Sequence, residues 1–475
     1  LRSVSYLKAA SATTLNVALN AATLGRYVWL EGRVRGGVFR NWARRFRYAP
    51  ERFVEPATEQ EIAEVVRSSE NLRVFGSGHS FNAGVVSDGT LLSLDKYSGP
   101  VAGGDAKERD YRSKDQLAVK GGTRVRDVVR LLLEERLAFE ALPSHDAQSI
   151  AGNLSTDVHG TGVKWGFVSD SVVGLKLIDG KGDLHECQPS DDLFKAAIGG
   201  VGAVGLIIEV VVQGVRRFNV AQRVSIEDLS FVERNLDRLL REHDHLSLYL
   251  FPFSDKCQVN TWDGTYEGHS PLGGLREFMS ISLDALLAAW VGNLLAYTGL
   301  LPKVGSRAYL KKRGTDLVLE SDAAFNRTIY HLHQELEFTV PFEQTFEACG
   351  RFIELYERMY DSGLPYTLVE VRFTPAGHDR TLIGPGRGRH STWIDLVCTD
   401  SHGFEDYYAA AQELIKEIGG RPHLGKFCES FGKADLARVH QGSFTRFLKL
   451  VEAHDPHGRF ANGFTRRLLG HPSPG

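Results

Sequence analysis

Four short segments of the 475-residue chain combine residue types and spacings that could do chemistry. In Val74-Phe75-Gly76-Ser77-Gly78-His79-Ser80-Phe81-Asn82, glycines flank Ser77, so successive backbone N–H groups can converge into a nest for an anionic phosphate. His79 at the rim of such a loop can act as a base, a ligand or an attachment point, although most glycine-rich turns are only turns. The stretch 143–162 carries Ser144, Ser149, Gly152, Thr156, His159 and Gly160 with neither helical nor strand periodicity. Long unstructured loops inside compact domains are usually functional, and hydroxyls with free amides suit an extended diphosphate-bearing ligand. As a plain surface loop it would leave Ile150, Leu154 and Val158 exposed.

In Leu368-Val369-Glu370-Val371-Arg372-Phe373-Thr374, alternation puts Glu370 and Arg372 on one strand face and Val369, Val371 and Phe373 on the other. Opposite charges two residues apart can bracket one polar ligand, or form a weak solvated pair. Arg421-Pro422-His423-Leu424-Gly425-Lys426 gathers two cations and a histidine in one short loop. It suits an anion, or only solvent.

The elements that must position these segments follow from periodicity. Thr58 and Glu61 make a capping box ahead of Ile62, Val65 and Val66, so a helix starts there. Strands are expected at 72–75, 91–94, 116–120, 172–178 and 206–212, with a helix from Val125 to Leu133. Beyond 218 the strands 245–251, 335–340, 368–374 and 392–398 alternate with helical patterns at 342–360 and 404–418. That pattern is α+β throughout, the second half a sheet covered by helices. Gly200, Gly202 and Gly205 match a dinucleotide fingerprint, but a helical pattern precedes them and a strand follows. The order is reversed, so the glycines read as a tight turn where backbone approaches something closely.

Composition narrows the class. A net charge of −3 argues against nucleic-acid binding, and 42% hydrophobic with 24% charged residues is globular rather than disordered. The five cysteines (187, 257, 349, 398, 428) form no CxxC pair and read as core residues, and no metal site is assigned. The apolar stripe 278–301 reads as a helix packed on a core, with a helix lying in a membrane interface as the alternative. The chain opens on Leu1 rather than Met, so sequence upstream is expected. The compartment stays open between cytoplasmic and membrane-peripheral.

Taken in order, these motifs resemble the vanillyl-alcohol-oxidase/PCMH superfamily of FAD-dependent oxidoreductases, specifically its aldonolactone oxidase branch. The resemblance runs from Phe39-Arg40-Asn41-Trp42-Ala43 through Val158-His159-Gly160-Thr161-Gly162 to Asp455-Pro456-His457-Gly458-Arg459-Phe460-Ala461-Asn462. It implies a two-domain fold, a PCMH-type FAD-binding domain plus an α+β cap domain. The expected division is an N-terminal extension (1–38), the FAD domain (39–217), the cap or substrate domain (218–435) and a C-terminal segment returning to the FAD domain (436–475).

Residue roles transfer from the resemblance position by position. Gly76, Ser77, Gly78, His79 and Ser80 would hold the pyrophosphate, with His79 covalently bonded to the flavin 8α-methyl group. Ser149, Gly152, Thr156, His159 and Gly160 would contact FAD along its length, and Ile207 would meet its adenine end. Ser144, Glu370, Arg372 and His423 would face substrate, and Lys426 would sit near the flavin pyrimidine edge. Glu370, Arg372 and Lys426 are the catalytic candidates, for hydride transfer from a secondary alcohol to flavin N5. Pro143 occupies a position linked to oxygen access, where proline or glycine accompanies oxidase behaviour, while 144–148 departs from the usual loop and leaves substrate identity open.

The expected activity is therefore oxidation of a gulono-, galactono- or arabinono-1,4-lactone, with O2 as acceptor and hydrogen peroxide as product. The alternatives are an alditol or carbohydrate oxidase, a dehydrogenase with another acceptor, and a membrane-peripheral binding protein without turnover. Peripheral membrane contact through 278–301 is also open, as is the oligomeric state.

Overall fold

A computed structural model describes residues 31–101, 115–273, 276, 306, 316–325, 333–360, 364–398 and 403–470. Residues 1–30 and the 278–301 stripe lie outside the described residues. Among the described residues no helix is long and apolar enough to cross a membrane.

β1 (Arg33–Arg35), β2 (Val38–Arg40) and β3 (Arg47–Tyr48) make a small antiparallel sheet. β4 (Arg52–Val54) leads into α1 (Glu59–Ser68), where the Thr58 side chain accepts from Glu61 N and the Glu61 carboxylate accepts from Thr58 N. α1 buries Ile62, Val65 and Val66 at helical spacing against a parallel sheet in which β6 (Thr90–Ser93) lies between β4 and β5 (Leu72–Phe75).

Next come β7 (Gln116–Lys120), α2 (Val125–Glu134), β8 (Leu137–Ala138) and α3 (Ile150–Ser155). They are followed by β9 (Val172–Ile178), β10 (Leu184–Cys187), α4 (Asp192–Ala197), β11 (Leu206–Gln213) and β12 (Val215–Arg216), which pairs with β8. β10, β9, β11 and β7 form a second, antiparallel sheet in that order. α3 corrects the expectation that 143–162 has no regular structure. Ser149 caps it by accepting from Gly152 N at 3.2 Å, and six residues are too few to display a periodicity. Ile150 and Leu154 are fully buried.

The rest of the chain is built on one antiparallel sheet of eight strands. Its members are β13 (Asn219–Asp228), β14 (His245–Leu250), β15 (Lys256–Thr265), β16 (Asp316–Glu320), β17 (Gln334–Pro341), β18 (Thr367–Thr374), β19 (Ser391–Cys398) and β20 (Arg421–Pro422). They lie in the order β16-β13-β15-β14-β18-β19-β17-β20. One face is apolar (Leu246, Leu248, Val369, Val371, Ile394, Leu396, Leu336, Phe338) and belongs to the main core. α5 (Leu229–Glu242) contributes Val232, Leu236 and Leu240 to that core, and α7 (Thr345–Met359) and α8 (Glu405–Glu417) also contribute. The short α6 (Ser321–Phe325) follows β16. The chain ends in α9 (Lys433–His440), α10 (Gly442–His454) and α11 (Gly463–Leu469).

All five cysteines are buried and unbridged, and burial pushes the Cys349 and Cys398 thiols up to about 12. They are core residues.

The β18–β19 connection anchors the 143–170 region through His378. Its Nε2 and Nδ1 lie 3.1 Å from Asp157 Oδ2 and 3.3 Å from Asp170 Oδ1, and its ring stacks on Phe167 at 3.6 Å. Burial alone would lower the imidazolium pKa, but Asp157 and Asp170 raise it to about 9. A raised histidine stabilises the fold below the ordinary value of ~6.5, and that contribution disappears as pH rises through about 9. The stability gap between wild type and His378→Gln, measured by urea unfolding, should be widest below about pH 6.5 and shrink towards pH 9.5. A gap independent of pH would show that the pair carries no charge.

Candidate active site

The apolar faces of the large sheet's strands point to the core, so alternation sends their polar residues to the opposite face. Register then aligns them. Glu337, Asp395, Glu370 and Tyr249 form one row across β17, β19, β18 and β14, and Thr339, Trp393, Arg372 and Ser247 form the next. This polar face and the glycine loop after β5 border a common cavity.

The glycine loop is pinned from behind. Gly32 N donates to Ser77 O, Trp42 N to Gly78 O and Asn41 Nδ2 to Ser80 O. The amides of Ser77, Gly78 and Ser80 meet no acceptor among the described residues, so a nest of donors stays unspent beside the cavity. Two glycines are obligatory here. A Cβ on Gly76 would lie 1.9 Å from Ser149 Oγ, and Gly78 has φ +65° with Gly32 packed 2.9 Å from where its Cβ would be. His79 lines the cavity with its ring stacked on Trp42, 5.3 Å between centroids.

The loop 423–426 is tied to the glycine loop. Phe81 N donates to Gly425 O at 2.9 Å, and Asn82 Nδ2 donates to Leu424 O and Lys426 O. Lys426 thereby reaches over the polar face. Its Nζ pairs with Glu335 and lies 3.7 Å from Glu337 and 3.6 Å from Asp395. Burial would raise the Glu335 and Glu337 carboxyls, but Lys426 outweighs it, aided by His333 and His159 respectively, and both are held well below the ordinary range. Asp395 goes the other way. Burial and neighbouring Glu335 push it well up against the pull of Lys426, and neither oxygen has a hydrogen-bond partner among the described residues.

Arg372 Nε and Nη2 donate to Glu370 Oε1 and Oε2 at 2.9 and 2.8 Å, a bidentate fork that fixes the guanidinium plane. Nη2 also reaches Ser144 Oγ at 3.4 Å. Burial opposes the arginine's charge, but Glu370 overrides it and the pKa rises well above the ordinary value. His423 is neutral, lowered to about 4 by burial. Its Nδ1 accepts from Gly425 N, and His159 Nε2 donates to Glu337 Oε1 at 2.9 Å.

The cavity wall thus brings together Gly76, Ser77, Gly78, His79, Ser80, Ser144, Ser149, Gly152, Thr156, His159, Ile207, Glu370, Arg372, His423 and Lys426. Gly160 is not among the residues of that wall: its N–H donates to Gly166 O, and a Cβ there would lie 2.9 Å from Leu142 O. The tight turn at 200–205 does approach the cavity, with Val201, Gly202 and Gly205 on its wall. Sequence reading missed Glu335, Glu337 and Asp395, although each breaks an otherwise apolar strand pattern, and missed His145 and His333. The imidazoles of His145 and His333 surround Trp42.

A long cavity with an unspent nest of amides at one side and a charged, partly dry wall at the other suits a dinucleotide with a reactive ring. Solved structures share this fold. Cholesterol oxidase from B. sterolicum superposes with a TM-score of 0.69 at 16% identity, covering 92% of this chain and 97% of that one. Residues 50–188 match the FAD binding domain family. The protein is therefore an FAD-dependent oxidoreductase.

Residues 210–468 match the D-arabinono-1,4-lactone oxidase family, and the chain belongs to it. L-gulono-1,4-lactone dehydrogenase of Mycobacterium tuberculosis is 28% identical over 91% of this chain and 99% of its own length. L-gulonolactone oxidase of Bos taurus is 26% identical over 92% and 99%.

Proposed function

We propose that the protein oxidises a secondary alcohol of a sugar-derived 1,4-lactone and passes the electrons to O2. The observation that carries this reading is the Glu370–Arg372 fork, which meets Ser144 on the wall of the cavity that also holds the glycine loop. The relatives named as gulonolactone and arabinonolactone enzymes support the substrate class. Bound FAD would supply a two-electron acceptor for the hydride of the alcohol carbon. Each residue then has a task. The Glu370 and Arg372 side chains are 14% exposed, open to the cavity but poorly hydrated, so Arg372 can stabilise charge that develops on the alcohol oxygen. Glu370 holds that guanidinium in plane and orients sugar hydroxyls. Lys426 offers a cation towards the pyrimidine edge, moderated by Glu335 and Glu337. Ser77, Gly78 and Ser80 would hold the pyrophosphate through their amides, and His79 would bear the covalent link to the 8α-methyl group.

In the same reading, 39–217 is the FAD domain, 218–435 the cap and 436–475 the returning segment. The bond from Arg73 Nη1 to Phe460 O supports the return. Pro143 on the cavity wall supports dioxygen as acceptor. A donor panel with peroxide readout tests the whole reading. Turnover of gulono- or arabinono-1,4-lactone with stoichiometric peroxide is expected. Activity on xylitol alone would make the protein an alditol oxidase, and slow reoxidation by O2 would make it a dehydrogenase.

The tether has its own test. Acid precipitation of wild type should carry the flavin into the pellet and leave a fluorescent band on a denaturing gel. His79→Ala should release the flavin to the supernatant and lower activity without unfolding the protein. Flavin retained in the variant's pellet would overturn the assignment of the link.

A further inference from the structure

At the β9–β10 turn, three side chains from separate segments converge. Asp179 follows β9, His185 lies on β10, and His454 is the last residue of α10. Asp179 is fully buried. Its Oδ1 accepts from Lys181 N and Asp183 N, which fixes the carboxylate within the hairpin turn. Its Oδ2 faces two imidazoles, His185 Nε2 at 2.8 Å and His454 Nδ1 at 3.2 Å. The two rings stand at 90° with centroids 4.9 Å apart, and the three candidate ligand atoms lie within 4.8 Å of one another. His454 is also held by its backbone, because Gly180 N donates to His454 O at 2.8 Å.

We propose that Asp179, His185 and His454 form a binding site for one divalent transition-metal ion of zinc type. Two imidazole nitrogens and one carboxylate oxygen are a ligand set of borderline softness. Ligands about 2.0–2.1 Å from a tetrahedral ion stand roughly 3.3 Å apart, so the separations of 2.8 and 3.2 Å need only a small outward shift. Both imidazoles now direct an N–H at the same oxygen, and one ion would replace both protons. The His185 and His454 side chains are 28% and 18% exposed, which leaves an open side for water as a fourth ligand. Lys181 also faces the site, with Nζ 3.7 Å from Oδ2 on a side chain 44% exposed, and Arg459 Nη1 donates to the neighbouring Gly180 O at 3.1 Å.

The ion would staple the end of α10 to the β9–β10 hairpin. The next turn, where Asp455 accepts from Arg459 N and Phe460 N, delivers Phe460 to the cofactor cavity. The site stands apart from the substrate residues, so its test is separate from the lactone reading.

Holoenzyme stripped with chelator and dialysed against micromolar Zn2+ should retain one equivalent by elemental analysis. Its thermal midpoint should rise with free Zn2+, because the ion binds the folded state. His185→Ala and His454→Ala should each weaken binding at least about tenfold and abolish the shift, with flavin absorbance showing that both variants fold. His269→Ala, at an exposed histidine elsewhere, should bind like wild type. Less than a tenth of an equivalent in wild type, or equal uptake by His185→Gln and wild type, would overturn the proposal.

Discussion

Lys426→Met is expected to lower unfolding stability by about 3–5 kcal/mol, the usual cost of stranding buried charge. The side chain is 18% exposed and is the cation common to Glu335, Glu337 and Asp395. Without it, Glu335 and Glu337 lose the cation that holds their carboxyls low, in a poorly hydrated wall that also carries Asp395. Linkage gives the pH signature. Glu335 and Glu337 are held low in the wild type, so their contribution is present above the ordinary value of ~4.3 and is lost as pH falls through the folded values. Acid should therefore cost wild type more than the variant, and the gap in urea midpoint should stay wide from pH 7 to about 4.3 and narrow as pH falls further. Lys426→Met with Glu335→Gln should recover part of the loss, because one stranded anion is gone. A loss below about 1 kcal/mol would mean that water already screens the cluster.

Arg372→Ala should lower kcat by about 10²–10³, the range seen when one fixed donor to a developing oxyanion is removed. FAD content should stay close to wild type, because the phosphate nest lies on other segments. If the guanidinium acts mainly as the oxygen gains charge, kcat and kcat/KM should fall together. Arg372→Lys keeps the charge but loses the fork to Glu370, so it should recover only part of the rate. Equal loss of flavin and turnover would make Arg372 a structural residue.

Local rules made much of this legible. The Thr58–Glu61 capping box sets the start of α1, and β5, β7 and β9 have the expected limits. Period-two alternation put Glu370 and Arg372 on one face because side-chain direction in a strand is a local property. The glycine spacing around Ser77 pointed to a nest for the same reason. β13 and β15 escaped notice because Gln222, Gln258 and Asn260 are buried polar residues that interrupt their apolar pattern.

What the chain's order could not supply was register. Glu337, Asp395 and Glu370 come from three strands spread over tens of residues, and only hydrogen-bond pairing aligns them in one row. Lys426 joins them because Asn82 and Phe81 fix its loop from a distant part of the chain. The sequence by itself determined many of the elements, the glycine loop and the family resemblance. The tertiary structure decided which charges share a dry wall and which of them remain ionised, because Coulomb coupling depends on separation in space and burial, not on position along the chain.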